Sequence, residues 1–260
     1  MNVLPLFKTH YSLGRSILTV APPTSLDENS PISVFDIAKK HNLKDIIVID
    51  DSITGFLEAY TSSEKAKVKL IYGLRLYCVN DISQKNEETL KSASKIIIFI
   101  KNTKGYSDLI KISSFYQQEG FYYHGNIDYS NLKRLWTDNL LLAIPFYDSF
   151  IFMNTLCGGL CVPNFSFTKP TFFIERSDLP FDALVQDKVL AYTKYNNFDV
   201  NPARSIYYYH KSDFIAALTY RCIRERSTLQ EPNLEHFSSD WFCFDTWEEQ
   251  EKNPESIYLK

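Results

Sequence analysis

Residues 45–51 read DIIVIDD, four consecutive β-branched residues, Ile46 to Ile49, set between one acid and two more. Such a run has no polar face, so it describes a strand buried on both sides, as in a parallel sheet covered by helices. Upstream, VLPLF (3–7) reads as a strand, and SVFDIAKKHNL (33–43) as a helix with Ser33 at its N-cap and Asp36 near the box position. Downstream, GFLEAYTSSEKA (55–66) reads as a helix and KVKLIYGLRLYCV (67–79) as a strand broken at Gly73. KIIIFIK (95–101) is a strand, and GYSDLIKISSFYQQEG (105–120) an amphipathic helix. NLLLAIPF (139–146), PTFFIE (170–175) and ARSIYYYH (203–210) are further strands. FDALVQDKVLAYTKYNN (181–197) and SDFIAALTYRCIRER (212–226) are helices, the second with Ser212 as its cap. Repeated strand–helix units give an α/β fold: a parallel sheet with covering helices, open or closed into a barrel.

The 260 residues, 45% hydrophobic, suit one such barrel. The expected organisation is a single domain over 1–245 and an acidic C-terminal tail over 246–260, with FDTWEEQEKNPESIYLK (244–260) reading as a short helix and a loose end. A net charge of −3 offers no bulk attraction to nucleic acid or membrane, and no apolar run reaches membrane-spanning length. Cys78, Cys157, Cys161, Cys222 and Cys243 form an odd, scattered set, which suits reduced thiols in a cytoplasmic protein. Cys157 and Cys161 lack a second ligand pair to make a zinc finger.

In such folds chemistry gathers at the carboxyl ends of parallel strands. His10, Asp50, Asp51, Arg75 and Ser205 each lie at or just past an expected strand, where they could converge on one pocket. No nucleophile elbow, phosphate-binding loop or dinucleotide fingerprint is present. His41 reads as a solvated helix-end residue, His124 and His236 as loop residues, and His210 as a structural residue flanking the pocket. The aromatic clusters GFYYHGN (120–126) and SIYYYHK (205–211) suit core or interface; stacking on single-stranded bases is their other reading.

LFKTHYSL (6–13), IIVIDDSITGFLEAY (46–60), KVKLIYGLRLYC (67–78), KIIIFIKNTKGYSDLIKISS (95–114) and ARSIYYYHKSDFIAAL (203–218) stand in series. In order and spacing they resemble the PHP (polymerase and histidinol phosphatase) domain family, most closely the version at the N-terminus of bacterial DNA polymerase III alpha subunits. The resemblance implies a distorted, TIM-like (βα)7 barrel. It also implies, in active members, a metal cluster at the strand ends that activates water for phosphoester hydrolysis. Carried over position by position, the family's ligands fall on Lys8, His10, Arg15, Asp51, Arg75, Lys95, Ser205 and Tyr207, and one falls near Pro145.

Lys8, Arg15, Arg75 and Lys95 are cationic; an ammonium or guanidinium cannot ligate a metal and repels one. The expectation is that ion pairs have replaced the metals, with Lys8 or Arg75 beside Asp50 or Asp51. The resemblance then implies a catalytically degenerate domain with no catalytic residues and no cofactor. Its role would be a scaffold or interaction module in DNA replication or repair, partnered by a replicative DNA polymerase or a proofreading exonuclease. One alternative is a residual phosphoesterase or 3′–5′ exonuclease built on His10, Asp50 and Asp51, with zinc or manganese on His10 and Asp51. Another is a pocket of Lys8, Arg15, Arg75 and Lys95 that binds a phosphate or a DNA end without cleaving it. Composition rich in Lys, Asn, Ile and Tyr suggests a phage or virus, and so a host cytoplasm.

Overall fold

The DIIVIDD run is a strand, β2, Asp45–Asp50, with Ile46, Val48, Ile49 and Asp50 all buried. It belongs to a computed structural model that describes residues 2–21, 30–229 and 239–253. The chain forms two compact units, and the fold is a mixed α/β barrel of the TIM-like class.

The first unit comprises Met1–Tyr72, Glu175–Asp182 and Pro202–Lys260. Strand β1, Leu4–Phe7, pairs in parallel with β2, placing Leu6 opposite Ile47. On its other side β1 pairs in parallel with the end of β8, Asp199–Ile206, placing Phe7 opposite Ile206. Helix α1, Val34–Lys40, starts at Ser33, whose hydroxyl accepts from the Phe35 amide. Helix α2 covers Phe56–Ala66, α8 Phe214–Glu225 and α9 Phe244–Lys252. Ser212 is not the cap of α8: it lies inside a 3-10 turn, Lys211–Asp213, and Asp213 takes the N-cap position.

The short helix read in FDTWEEQEK is α9, with Trp247 and Gln250 buried; residues 254–260 lie outside the described residues. Helix α9 is fastened to the start of β1. Trp247 Nε1 donates to the Val3 carbonyl at 2.9 Å, and the Val3 amide donates to Glu251 Oε2 at 2.7 Å.

The second unit comprises Gly73–Ile174 and Ala183–Asn201. It holds most of β3 (Lys69–Val79), then α3 (Glu87–Lys91), β4 (Ser94–Ile100), α4 (Thr103–Gln117), β5 (Ile127–Asp128) and α5 (Tyr129–Leu135). Strand β6 (Leu140–Ile144), α6 (Phe150–Leu156), β7 (Thr171–Ile174) and nearly all of α7 (Asp182–Asn196) complete it. The expected all-parallel sheet is corrected at β4, which runs antiparallel to both β3 and β6. The chain leaves β3 at Val79 and re-enters at Ser94, which lies opposite Cys78, so the connection returns at the same end instead of crossing over. Gly73 does not break β3: a Cβ there would come within 2.6 Å of the Phe99 ring on the neighbouring strand, so the glycine makes room for that ring.

Among the described residues no helix is long and apolar enough to cross a membrane.

Candidate functional site

In the first unit the THYS turn after β1 is wound around one carboxylate. Asp50, fully buried at the end of β2, accepts from the Thr9 amide at 2.9 Å, the Thr9 hydroxyl at 2.7 Å and the Ser12 hydroxyl at 2.8 Å. Ser12 Oγ in turn accepts from the Asp51 amide at 3.0 Å. Burial pushes the Asp50 carboxyl above its ordinary value, against the pull of Thr9, Ser12 and the Lys8 charge. Lys8 is itself buried, and its Nζ stands 3.6 Å from Asp51 Oδ2.

His10 donates its amide to the Leu18 carbonyl at 2.8 Å and lies with its ring 4.3 Å from that of Tyr11. Its Nδ1 is buried with no hydrogen-bond partner among the described residues. Tyr11 donates to Glu58 Oε2 at 2.6 Å; that bond, with burial, pushes the phenol up to about 12. Arg15 faces α8, lining a cleft with Tyr207, Phe214, Arg221 and Phe242.

Ser205 pairs with an acid that the sequence patterns did not single out. Its amide donates to Glu175 Oε2 at 2.6 Å and its hydroxyl to Oε1 at 3.0 Å. Burial pushes the Glu175 carboxyl up, while Ser205 and the Arg204 charge pull it down. Arg204 is fully buried and donates to Gln250 Oε1 at 3.0 Å, Ser177 Oγ at 2.9 Å, the Trp241 carbonyl at 3.2 Å and the Arg176 carbonyl. A signal for Glu175 was present: PTFFIE ends in an acid at a strand end, just as DIIVIDD does.

In the second unit Arg75 and Lys95 share one face of the β3–β4 pair, because Arg75 lies opposite Ile97 and Tyr77 opposite Lys95. Both cations are buried. Arg75 Nη2 binds Asp148 Oδ2, while the Lys95 amide donates to the Asp148 carbonyl at 2.6 Å. Asp148 holds a left-handed φ of 61°, a conformation that Asp tolerates better than most residues. The Lys95 ammonium sits 3.1 Å from the centroid of the Tyr77 ring.

Thus His10, Asp50, Asp51 and Lys8 meet at one turn of the first unit, and Arg75 and Lys95 meet at one strand pair of the second. Among the described residues no group of three or more His, Cys, Asp or Glu is placed to hold a metal ion. The ammonium of Lys8 or Lys95 and the guanidinium of Arg75 have no lone pair to offer a metal ion. Cys157 is exposed, whereas Cys161 is buried with its sulfur 3.3 Å from the Ser94 hydroxyl. His41 is corrected from solvated to bonded: Nδ1 lies 3.1 Å from Glu248 and Nε2 2.8 Å from the Tyr209 hydroxyl. His210 faces Asp245 at 3.1 Å, and His236 lies outside the described residues.

Residues 24–152 match the PHP domain family model. The chain is 22% identical over 247 residues to the DNA polymerase III subunit alpha of Borreliella burgdorferi, covering 86% of this chain and 20% of that protein. It is 35% identical over 96 residues to the protein of the same name from Helicobacter pylori, covering 36% of this chain and 8% of that protein. A Chlamydia muridarum DNA polymerase III subunit alpha is 31% identical over 85 residues, covering 32% of this chain and 7% of that protein. The chain spans a fifth or less of the length of these relatives. Matched span and relatives agree on residues 24–152, just under half of the chain, as a PHP domain.

Proposed function

We propose that this replication-related PHP domain is non-catalytic and serves as an interaction module in DNA replication or repair, partnered by a replicative polymerase or a proofreading exonuclease. The observation that carries the reading is the pair of buried cations facing acids, Lys8 with Asp51 and Arg75 with Asp148. Both cations stand where the resemblance expects metal donors. A buried ammonium or guanidinium supplies the positive charge that a metal would, yet offers no vacant orbital to polarise water. The acids are then neutralised in place, and the barrel keeps its shape without hydrolytic chemistry. The likeness to polymerase subunits supports the replication setting.

The test combines metal analysis of the purified chain with turnover of a generic phosphodiester in added Mn²⁺. The expected result is neither stoichiometric metal nor hydrolysis, and recovery of a polymerase or exonuclease that His10→Ala leaves unchanged. Stoichiometric zinc, manganese or iron lost in His10→Ala, or hydrolysis abolished by that substitution, overturns the reading.

A further inference from the structure

Helix α8 has an apolar row on the side that its own unit does not cover. Its inner side faces the cleft with Arg15, through Phe214, Ala217, Leu218 and Arg221. On its outer side Ile215, Thr219 and Ile223 recur every four residues and so stand in one line along the helix. Ile215 leaves 58% of its surface in solvent and Ile223 leaves 70%. The Thr219 hydroxyl donates to the Ile215 carbonyl at 2.7 Å, which turns its donor back into its own helix and keeps the row apolar.

A further aliphatic residue is held beside this helix. Leu13, 63% exposed, directly follows Ser12 in the turn that Asp50 organises. Arg224 fixes its place: the guanidinium donates to the Leu13 carbonyl, and the stem of the side chain crosses Gly14. A Cβ on Gly14 would come within 2.4 Å of Arg224 Cδ, and its φ of +71° suits glycine on its own account. Leu13 and Ile223 thus flank one arginine, and all three belong to the first unit.

Charge at this end of α8 is one-sided. Arg221, Arg224 and Arg226 stand against a single acid of the helix, Glu225, which accepts from Arg221 Nε at 3.3 Å. Glu58, across the turn, is engaged by Tyr11. Arg224 and Arg226 are both exposed. Arg226 ends the helix at φ 54°, a left-handed position where glycine is the usual residue. The negative end of the helix dipole accounts for basic residues here, but not for the aliphatic row beside them.

Each feature narrows the occupant. Aliphatic side chains offer no ring for a base to stack on, so a nucleic acid would use the arginines and leave both isoleucines bare. Protein interfaces favour arginine beside apolar anchors. Three side chains on a helix about 18 Å long fall far short of the roughly 800 Å² per partner of a stable dimer, so the row suits a short segment better than a second copy. The exposed guanidiniums call for carboxylates on that segment. We infer that the outer face of α8, with Leu13, docks an acidic amphipathic helix of a protein partner. Its apolar row lies on Ile215 and Ile223, and its carboxylates meet Arg224 and Arg226. The inference rests on the interaction-module reading for there being a protein partner, and gives that reading a surface.

The test is selection of phage-displayed random peptides of about sixteen residues, long enough to span α8, on the full chain, with fluorescence anisotropy of the winners. The winners are expected to be net acidic, with apolar residues three or four positions apart. Ile223→Asp should weaken their binding about tenfold and leave Tm unchanged, because the side chain is exposed; Ile215→Asp should do the same. Arg226→Glu should weaken it as well, and a winner with its Glu residues changed to Lys should recover affinity for that variant. Absence of winners, winners that are basic or lack an apolar row, or affinity unchanged in Ile223→Asp overturns the inference. So does a dimer of the full chain, or binding of duplex DNA or phosphatidylserine vesicles, that Ile223→Asp abolishes. A polymerase or exonuclease still recovered with Ile223→Asp removes this surface and leaves the interaction-module reading standing.

Discussion

The ion pair Lys8–Asp51 of the first unit and the ion pair Arg75–Asp148 of the other unit are alike in burial. Each cation is 5% exposed, facing acids that are 25% and 29% exposed. They differ in how they hold. Lys8 faces Asp51 across 3.6 Å, too far for a good hydrogen bond, so the pair is a point charge near a carboxylate. Arg75 hydrogen-bonds Asp148 directly, and Asp148 is fixed further by the Lys95 amide on its carbonyl. A planar guanidinium imposes direction where an ammonium supplies only charge. A buried cation facing an acid therefore makes a loose pair in one place and a geometric lock in the other. The turn in the first unit is held instead by Asp50.

The largest effect is expected from Asp50→Ala. It strands the Thr9 amide and two hydroxyls, Thr9 Oγ1 and Ser12 Oγ, and should cost about 3 kcal/mol or more in urea unfolding. A loss below about 1 kcal/mol, the net worth of a single ordinary hydrogen bond, would show that the turn does not depend on this carboxylate. Next come Arg75→Met and Lys8→Met measured side by side. Removing one partner from a buried, hydrogen-bonded pair should cost about 3 kcal/mol for Arg75, and loss of the longer-range pair about 1 kcal/mol or less for Lys8. Equal losses would break the comparison.

The smallest effect is on pH dependence. Burial holds the Asp50 and Glu175 carboxyls above their ordinary values, so the folded chain takes up these protons at higher pH than the unfolded chain. Their contribution is fully present below the ordinary carboxylate range and is lost as pH rises through the raised values. Mild acidification from neutrality should raise Tm slightly, and Glu175→Gln should flatten that slope; a slope unchanged in the variant would remove Glu175 from the account.

Much of this arrangement was legible. Apolar runs such as Ile46–Ile49 announce strands whatever their partners, and Ser33 marks the start of α1 through its own hydrogen bond. The direction of β4 was not legible, because side-chain period is the same in parallel and antiparallel strands. Asp51 was readable because it follows a strand that names itself. Asp148 was not, since it sits in a turn after β6 where no pattern singles out one acid, and only the fold brings it to Arg75. His41 misled because a histidine among lysines reads as solvent-facing, whereas Glu248 and Tyr209 reach it from distant sequence.

The fastening of α9 onto Val3 has a consequence for the order of events during synthesis. The Val3 amide and Glu251 are 248 positions apart, so β1 is made long before the helix that secures it. The second unit is complete once residue 201 has been made, whereas the first draws on segments from both ends of the chain. Until α9 has been made, the start of β1 lacks both of these bonds, whereas the second unit already has every residue it needs.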